Sequence, residues 1–321
     1  MQIVNCKILL FFNFLMASFS TLATVDPDQL IGSSTIFFKD RYLILGGSLP
    51  NDSIIPFSIW SSKDAIEWTE IKHNFPLSNL SWFSTFVIED NLYIVGGSKD
   101  NKYSNLIFST KNLIDWKIKK ALFPVKLRYA TTHKFKNNIY IIGGEISNKK
   151  KSPLIYTSSD GLTWKIETTI PQQILSENSA NLIFQSKLFF LLASHNNKTA
   201  SYSYDFMKKK WLRLPTENPP SPRIRHAAFT LNNKIHLFGG ESVDENKNSK
   251  VLSDLWRLDN NKWTQIKLPP IMGRLHTNII KLKNQVTFIG GESIPLKLDK
   301  YQLTIKNNYM IKKNALSFGE K

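Results

Sequence analysis

IYIIGGEISNKKKSPLIYTSSDGLTW, residues 139–164, contains an apolar strand that ends in a glycine pair and a tryptophan about 20 residues after that pair. The same pattern occurs six times in the 321-residue chain, with glycine pairs that begin at 46, 96, 143, 239 and 290 and with Ala193-Ser194 at the remaining place. The aromatic residues that follow are Trp68, Trp116, Trp164, Trp211, Trp263 and Tyr309. A repeat of 46 to 51 residues indicates stacked supersecondary units.

Each repeat is expected to contain four short strands. In the third repeat these strands are expected at 129–135, 139–144, 154–158 and 162–168. The second strand is apolar on both faces, which is typical of a strand buried between neighbouring sheets. Because a single sheet of this kind leaves both faces uncovered, the pattern predicts an all-β, six-bladed propeller with four strands per blade. The blades are expected at residues 31–74, 80–120, 127–169, 176–215, 224–268 and 274–314.

The glycine pairs and the aromatic residues have separate physical roles in this prediction. At the end of the second strand the chain must turn beside the adjacent sheet, where a side chain would collide, and the later aromatic residue fills the widening space between blades. The fourth repeat lacks the glycines, so we expect a wider or less regular turn at Ala193-Ser194. The first repeat begins with its innermost strand near Ser33 and the sixth ends with its outermost strand near Tyr309. The ring is therefore expected to close through blade packing, without an exchanged strand.

The first 23 residues read as a secretory signal peptide. Lys7 precedes a largely apolar run from Ile8 to Met16, and small residues lead to Ala23, where we expect cleavage. The apolar run is shorter than the roughly 20 residues that span a bilayer, although an uncleaved anchor is the alternative. The chain is thus expected to be exported, periplasmic or secreted, with residues 24–321 as one propeller and no further membrane segment. Cys6 is the only cysteine, so the exported part would have neither disulfides nor thiolate metal sites.

The net charge of +17 comes mainly from lysine, which supplies 35 of the 42 basic residues. The lysines are scattered through turns with asparagine, and the sequence has no basic helix and no stacked-aromatic motif for nucleic acid. Two readings stay open: solvated lysines that protect sheet edges, or attraction toward an anionic envelope or glycan surface. We expect no nucleic-acid partner and a monomeric protein.

Polar residues flank the strands that should line one rim of the central channel. In an antiparallel meander the start of the first strand and the end of the second lie at the same end of the sheet. The residues directly after the glycine turns are Ser48, Ser98, Glu145, His195, Glu241 and Glu292. The residues that enter the first strands include Arg128, Arg223, Arg225, His226, Arg274 and His276. We therefore predict that Glu145, His195, Glu241 and Glu292 are the candidate catalytic residues and that Arg128, Arg223, Arg225, Arg274 and His276 bind the ligand.

Two interpretations of this rim remain open. Each glutamate could pair with a nearby arginine and only fix its loop, since such ion pairs are common. Alternatively, carboxylates and guanidinium groups could converge on a polar ligand, and a glutamate there could move protons. His195, His226 and His276 do not recur at one place in the repeat, so we expect neither a metal site nor a cofactor.

The glycine pairs, the aromatic residues and the period near 50 resemble Kelch repeats over essentially the whole chain after the signal. The segment 155–164, IYTSSDGLTW, resembles exported bacterial Kelch proteins in particular. This resemblance implies a module whose loops hold a glycan or protein partner at the polar rim. Exported ligand binding or protein interaction is thus the expected function.

The chain also resembles the exported N-acetylneuraminate epimerases, six-bladed Kelch proteins that interconvert the anomers of sialic acid. Most of this likeness lies in the last repeat, at Gly273-Arg274, at 289–292 and around 306–308. The resemblance implies a glutamate as acid–base group and an arginine that holds the sugar carboxylate. The glutamate that the family presents after its fourth turn is His195 here. Sialic acid epimerisation is accordingly the alternative function, in which His195 or a glutamate of a neighbouring blade would carry the proton.

Overall fold

A computed structural model describes residues 26–49, 55–147, 150–175, 180–195, 198–243, 249–268, 273–283, 285–292, 302–306 and 311–313. The expected signal peptide at 1–23 lies outside these residues. Apart from a short 3-10 helix at Pro27–Gln29, the regular structure in the described ranges is β-sheet. None of the helices in these ranges has the length and apolar character needed to cross a membrane.

The strands of the first three blades follow one another along the chain and pair antiparallel. The first blade contains β1 (Ser34–Phe38), β2 (Arg41–Leu45), β3 (Ile59–Ser62) and β4 (Thr69–Glu70). The second contains β5 (Ser84–Ile88), β6 (Asn91–Val95), the small hairpin β7 (Ser98–Lys99) and β8 (Lys102–Tyr103), then β9 (Ile107–Thr110) and β10 (Lys117–Ile118). The third contains β11 (Thr131–Phe135), β12 (Asn138–Ile142), the hairpin β13 (Glu145–Ile146) and β14 (Lys150–Lys151), then β15 (Leu154–Ser158) and β16 (Lys165–Thr169).

The second half of the chain repeats this arrangement. The fourth blade contains β17 (Asn181–Phe184), β18 (Lys187–His195), β19 (Lys198–Asp205) and β20 (Lys210–Leu214). The fifth contains β21 (Ala227–Leu231), β22 (Lys234–Phe238), the hairpin β23 (Glu241–Val243) and β24 (Ser249–Val251), then β25 (Leu255–Asp259) and β26 (Lys262–Ile266). The last contains β27 (Asn278–Leu282), β28 (Gln285–Ile289), β29 (Gln302–Lys306) and β30 (Ile311–Lys313). Within the described residues these strands form six four-stranded sheets, each from one stretch of chain, and the predicted all-β propeller class is confirmed.

Apolar side chains fill the spaces between neighbouring blades, as the aromatic pattern predicted. Trp116 is 7% exposed and meets the ring of Phe75 edge-on, with 5.1 Å between ring centroids. Trp263 is fully buried in a cluster that joins the fourth and fifth blades. Tyr309, the last aromatic residue of the pattern, lies outside the described residues. Burial of these large rings stabilises the contacts between blades by roughly 2–3 kcal/mol for each ring.

The fourth blade differs from the others because it lacks the glycine pair. In place of a turn after the second strand, β18 continues to His195 and pairs with β19 up to Lys198. The register shifts between Phe190 and Ala193, and Leu192 takes a left-handed φ of 50°. A β-bulge of this kind bends a strand without glycine. The irregularity expected at Ala193-Ser194 is thus a bulge within a continuous strand.

Candidate functional site at the channel mouth

The innermost strands surround a central channel that contains a cavity of about 480 Å³. Every described blade contributes the start of its first strand to the wall of this cavity, from Gly32 in the first blade to His276 in the last. The predicted placement of both strand ends at one rim is correct. The residue after the turn pairs with the residue that enters the first strand at Arg128↔Glu145, Ile224↔Glu241 and Leu275↔Glu292.

Five equivalent residues form the channel mouth: Gly32, Trp82, Tyr129, Arg225 and His276. Each lies 14 residues before the first glycine of its blade. All five have a left-handed backbone, with φ between 53° and 64°. A non-glycine residue in this region costs of order 1–3 kcal/mol, and such strain is concentrated at functional sites. The surrounding structure therefore holds four large side chains in a strained conformation at the same opening.

Backbone hydrogen bonds connect the channel-mouth residues of neighbouring blades. The N–H of Trp82 donates to the Gly32 carbonyl at 2.7 Å, and the N–H of Tyr129 donates to the Trp82 carbonyl at 3.0 Å. On the other side of the ring, the His276 N–H donates to the Arg225 carbonyl at 3.3 Å. These bonds fix the positions of the side chains relative to one another across blade boundaries.

Trp82 is the centre of an aromatic group that spans several blades. Its indole lies directly over Gly32, where a Cβ atom would come within 2.5 Å of the ring. Because Gly32 has no side chain, Trp82 reaches across the first blade to His276 of the last, with 5.1 Å between ring centroids. On its other side it contacts the Tyr129 ring at 4.6 Å. Three half-buried rings thus line one side of the mouth.

Glu145 is held by three groups of the third blade and its neighbour. Arg128 donates to its Oε1 from Nε and Nη2 at 3.0 and 2.9 Å, Lys151 donates to Oε2 at 3.3 Å, and the Tyr103 hydroxyl donates to Oε1. Burial alone would raise the pKa of Glu145, but these hydrogen bonds and the Arg128 charge lower it. The Arg128 guanidinium also lies over the rings of Tyr103 and Tyr129, at 4.5 and 4.6 Å. Glu145 is therefore an ionised structural partner and has little capacity to act as a base.

Arg225 retains hydrogen-bonding capacity at the mouth. Its Nη1 donates to Glu241 Oε2 at 3.0 Å, while Ser249 donates to Oε1 of the same carboxylate at 2.6 Å. The Arg225 side chain is 33% exposed, whereas that of Glu241 is 8% exposed. Nε of Arg225 is buried and has no hydrogen-bond partner among the described residues. A guanidinium presents five N–H donors, so Arg225 can pair with Glu241 and still bind a carboxylate ligand.

His276 and Glu292 form an acid–base pair beside Arg225. The Nδ1 of His276 lies 2.5 Å from Glu292 Oε1 and donates to it, and within the described ranges Nε2 of His276 has no partner. Burial would raise the pKa of Glu292, but the hydrogen bond from His276 and the charges of His276 and Arg225 outweigh it and lower this pKa. A carboxylate at Nδ1 fixes the tautomer and leaves Nε2 as an acceptor in the neutral ring.

Two of the predicted ligand-binding arginines, Arg223 and Arg274, are buried away from the channel mouth. Arg223 has a fully buried side chain that donates all five N–H groups: to Asp254, to the Gly239 carbonyl and to Ser221. All of its donors are thus engaged within the protein, and its predicted binding role stays a prediction. Arg274 is 1% exposed and is not part of the cavity lining, and its predicted binding role likewise stays a prediction.

The remaining predicted residue, His195, is described only by its backbone. It ends β18 and pairs with Lys198 in the hairpin to β19. Its position therefore follows the extended strand of the fourth blade, and the role of its side chain stays a prediction.

Small hydroxyl and amide side chains line the channel below the mouth. Ser34 and Thr85 are joined by a 2.6 Å hydrogen bond between the first and second blades. Asn181 accepts from Thr131 at 2.7 Å, and Asn278 donates to Ser33 at 2.6 Å. These bonds connect adjacent blades and add uncharged polar groups to the channel wall.

The sequence interpretation missed Trp82 and Tyr129, because it compared the charged residues, histidines and serines at the rim and left the aromatic residues there aside. The available signal was positional: both lie at the same 14-residue distance from the glycine pair as Arg225 and His276. The equivalent residue of the fourth blade, Ser179, lies outside the described residues.

These features define a β-propeller with a polar, partly aromatic site at one end of its channel. A family model described as the KLHDC2/KLHL20/DRC7 Kelch-repeats domain matches residues 32–240 and 130–309. The chain therefore belongs to the Kelch-repeat family.

Comparison with solved structures supports the same fold. The structure of YjhT is similar over 91% of this chain and 99% of YjhT, with a TM-score of 0.74. At 14% sequence identity this similarity concerns the fold alone. Among curated proteins, none matches this sequence.

Proposed function

We propose that this Kelch propeller is an exported binding protein that holds a small, ring-containing polar ligand, such as a glycan unit, at the channel mouth. The observation that carries the proposal is the convergence on one cavity of four large side chains whose residues have a left-handed backbone, namely Trp82, Tyr129, Arg225 and His276. A cavity of about 480 Å³ has the size of small-molecule sites, which combine aromatic walls with a few polar groups.

Each side chain has a defined part in this proposal. The exposed parts of Trp82 and Tyr129 provide flat apolar surface for a ring, and Arg225 provides donors for a carboxylate or hydroxyl. His276 lines the cavity, and its Nε2, which is buried and has no partner among the described residues, is a further acceptor for a ligand inside the channel. The carboxylates of Glu145 and Glu241 are engaged with their own arginines and fix the loops around the site.

The His276–Glu292 pair favours a second candidate, the epimerisation of sialic acid. Anomer exchange requires proton transfer to and from the ring oxygen and the anomeric hydroxyl. His276, oriented by Glu292, could accept one of these protons while Arg225 holds the carboxylate. In this version Glu292 orients the histidine, and His276 carries the proton.

NMR of the purified protein with N-acetylneuraminate and with neutral monosaccharides tests both candidates. Line broadening reports binding, and the exchange rate between anomers reports catalysis. We expect Arg225→Gln and Trp82→Ala to weaken binding at least tenfold, whereas Arg41→Gln and Trp211→Ala, away from the mouth, should leave it unchanged. Loss of anomer exchange in His276→Gln with binding retained would establish catalysis. Absence of binding to every sugar would exclude a glycan site at the mouth.

A further inference from the structure

The outer turn of the fourth blade presents an apolar side chain among lysines. This turn joins β19 to β20 and contains Met207 followed by Lys208, Lys209 and Lys210. Met207 is 69% exposed, the largest fraction among the exposed large apolar side chains of the described residues. The three lysines are exposed as well.

Contacts beneath the surface hold this turn in place. Asp205 accepts the backbone N–H groups of Met207 and Lys208 at 2.9 and 3.0 Å. The next residue, Phe206, is 5% exposed and stacks on Phe135 with 4.8 Å between centroids and 20° between planes. Because Phe135 belongs to the third blade, the stacked rings attach the turn to the neighbouring blade. Met207 is thus presented by a rigid support.

Lysines from other strands surround the same turn. Lys136, next to Phe135 in the third blade, places Nζ 3.4 Å from the Met207 sulfur. Lys187 lies opposite Asp205 in the register of the β18–β19 strand pair. Two carboxylates face the group: Asp205, which accepts the turn amides, and Glu167, which pairs with Lys209. The patch contains five lysines, namely Lys136, Lys187, Lys208, Lys209 and Lys210, so positive charge prevails.

We propose that this patch, defined by Met207 and these five lysines, docks the propeller on an anionic lipid membrane. Lysines near such a surface are attracted to the headgroups, while an exposed apolar side chain at their centre enters the interface. A soluble polyanion would use the lysines but would gain nothing from Met207. The patch therefore fits a lipid surface better than a charged polymer.

The position of the patch is consistent with access to the channel. In an antiparallel meander the turns after the first and third strands lie at the end opposite the turn after the second strand. The Met207 turn follows the third strand of its blade, and the turn of Lys136 follows the first. The docked propeller would consequently direct its channel mouth away from the membrane.

Sedimentation of the full chain with lipid vesicles tests this proposal. The vesicles contain phosphatidylcholine alone or phosphatidylcholine with about one third phosphatidylglycerol, at low and physiological salt. The apolar segment at residues 8–19 is the same in every variant, so differences between variants report on the patch. We expect preference for the anionic vesicles, weakened roughly 20-fold by K208Q/K210Q because each lysine contributes about fivefold. Met207→Ser should weaken binding to the anionic vesicles several-fold.

The matched control is K102Q/K120Q, which removes two exposed charges at the channel-mouth end. This variant should bind like the unmodified protein, and thermal unfolding should show that all variants remain folded. Equal binding to neutral and anionic vesicles, or an equal loss in the control variant, would overturn the proposal. If Met207→Ser has no effect while dextran sulfate displaces the protein fully, the patch binds polyanions and the membrane assignment is wrong.

Discussion

Gly291 donates its backbone N–H to the carbonyl of Leu30 at 3.5 Å, and this bond joins the last blade to the first. The same bond occurs inside the ring, where Gly97 donates to Leu127 at 2.8 Å and Gly240 donates to Arg274 at 3.1 Å. The expected closure through blade packing is therefore observed, with no exchanged strand in the described sheets. The boundary between the last and first blades is therefore held by the same kind of backbone hydrogen bond as the boundaries inside the ring.

Glycine-to-alanine substitutions can compare the two kinds of boundary. Gly290 and Gly96 have φ of 68° and 72°, and in each a Cβ atom would lie 2.6 Å from a carbonyl of the next blade. We expect Gly290→Ala and Gly96→Ala each to lower the free energy of unfolding by about 2 kcal/mol or more, measured by urea denaturation. A loss at Gly290 less than half of that at Gly96 would show that the closing boundary is weaker.

The stability of the propeller should fall on mild acidification because of His226. This histidine donates from Nε2 to the Leu191 carbonyl at 3.1 Å, and burial, with the Arg223 charge, lowers its pKa from 6.5 to about 3. Below pH 6.5 the unfolded chain takes up a proton that the native state does not, so this contribution is complete above pH 6.5 and is lost as the pH falls. Urea midpoints at pH 7, 6 and 5 measure the effect.

The variant His226→Gln tests that assignment, since its amide can still donate to Leu191. We expect a smaller decrease in stability between pH 7 and 5 than in the unmodified protein. A residual slope should remain, because burial also lowers the pKa of His236 to about 4. Identical slopes in both proteins would refute the role of His226.

Glu145 and Glu292 should respond differently to removal of their charge. Glu145→Gln removes the charge that compensates the nearly buried Arg128 and weakens its hydrogen bonds, so we expect a loss of about 2 kcal/mol in unfolding free energy with ligand affinity maintained. Glu292→Gln should reduce ligand binding or anomer exchange at least tenfold with a smaller loss of stability, because His276 loses its orienting carboxylate. Calorimetric titration and urea denaturation of both variants provide the comparison. The reverse pattern would place the functional carboxylate in the third blade.

Asp160 should stabilise the outer turn of the third blade. Its Oδ1 accepts the N–H groups of Leu162 and Thr163 at 2.8 and 2.7 Å, and although burial would raise its pKa, these bonds lower it to about 2. We expect Asp160→Ala to cost about 1 kcal/mol at neutral pH, as measured by urea denaturation. Because the native pKa is depressed, the contribution is present above pH 3.8 and is lost as the pH falls toward 2. An unchanged urea midpoint at pH 7 would contradict this role.

Much of the fold could be predicted because its determinants are local. A glycine pair after an apolar strand indicates a tight turn beside a neighbouring sheet. Because the pair recurs, it located the second strand of each blade, and with it the end of the sheet where Arg128 pairs with Glu145. The sequence also indicated the irregular fourth blade, since Ala193-Ser194 cannot form the same turn as two glycines. These inferences depend on backbone conformation, which a short segment determines.

The candidate site was less predictable because it depends on which way side chains point. Arg223 and Arg225 are two residues apart, yet the fully buried Arg223 pairs with Asp254, whereas Arg225 reaches the mouth. Trp82 was not among the predicted site residues. Its role at the mouth depends on the absence of a side chain at Gly32, 50 positions earlier, and such a pairing leaves no local trace.

The core cluster that contains Leu30, Ile44, Ile280 and Ile289 has a consequence for biosynthesis. Leu30 and Ile44 emerge from the ribosome early, whereas Ile280 and Ile289 are added only when most of the chain has been made. Until then, the first blade has an apolar face without its partner. A nascent chain of this architecture therefore keeps that apolar face exposed to self-association until its final blade is available.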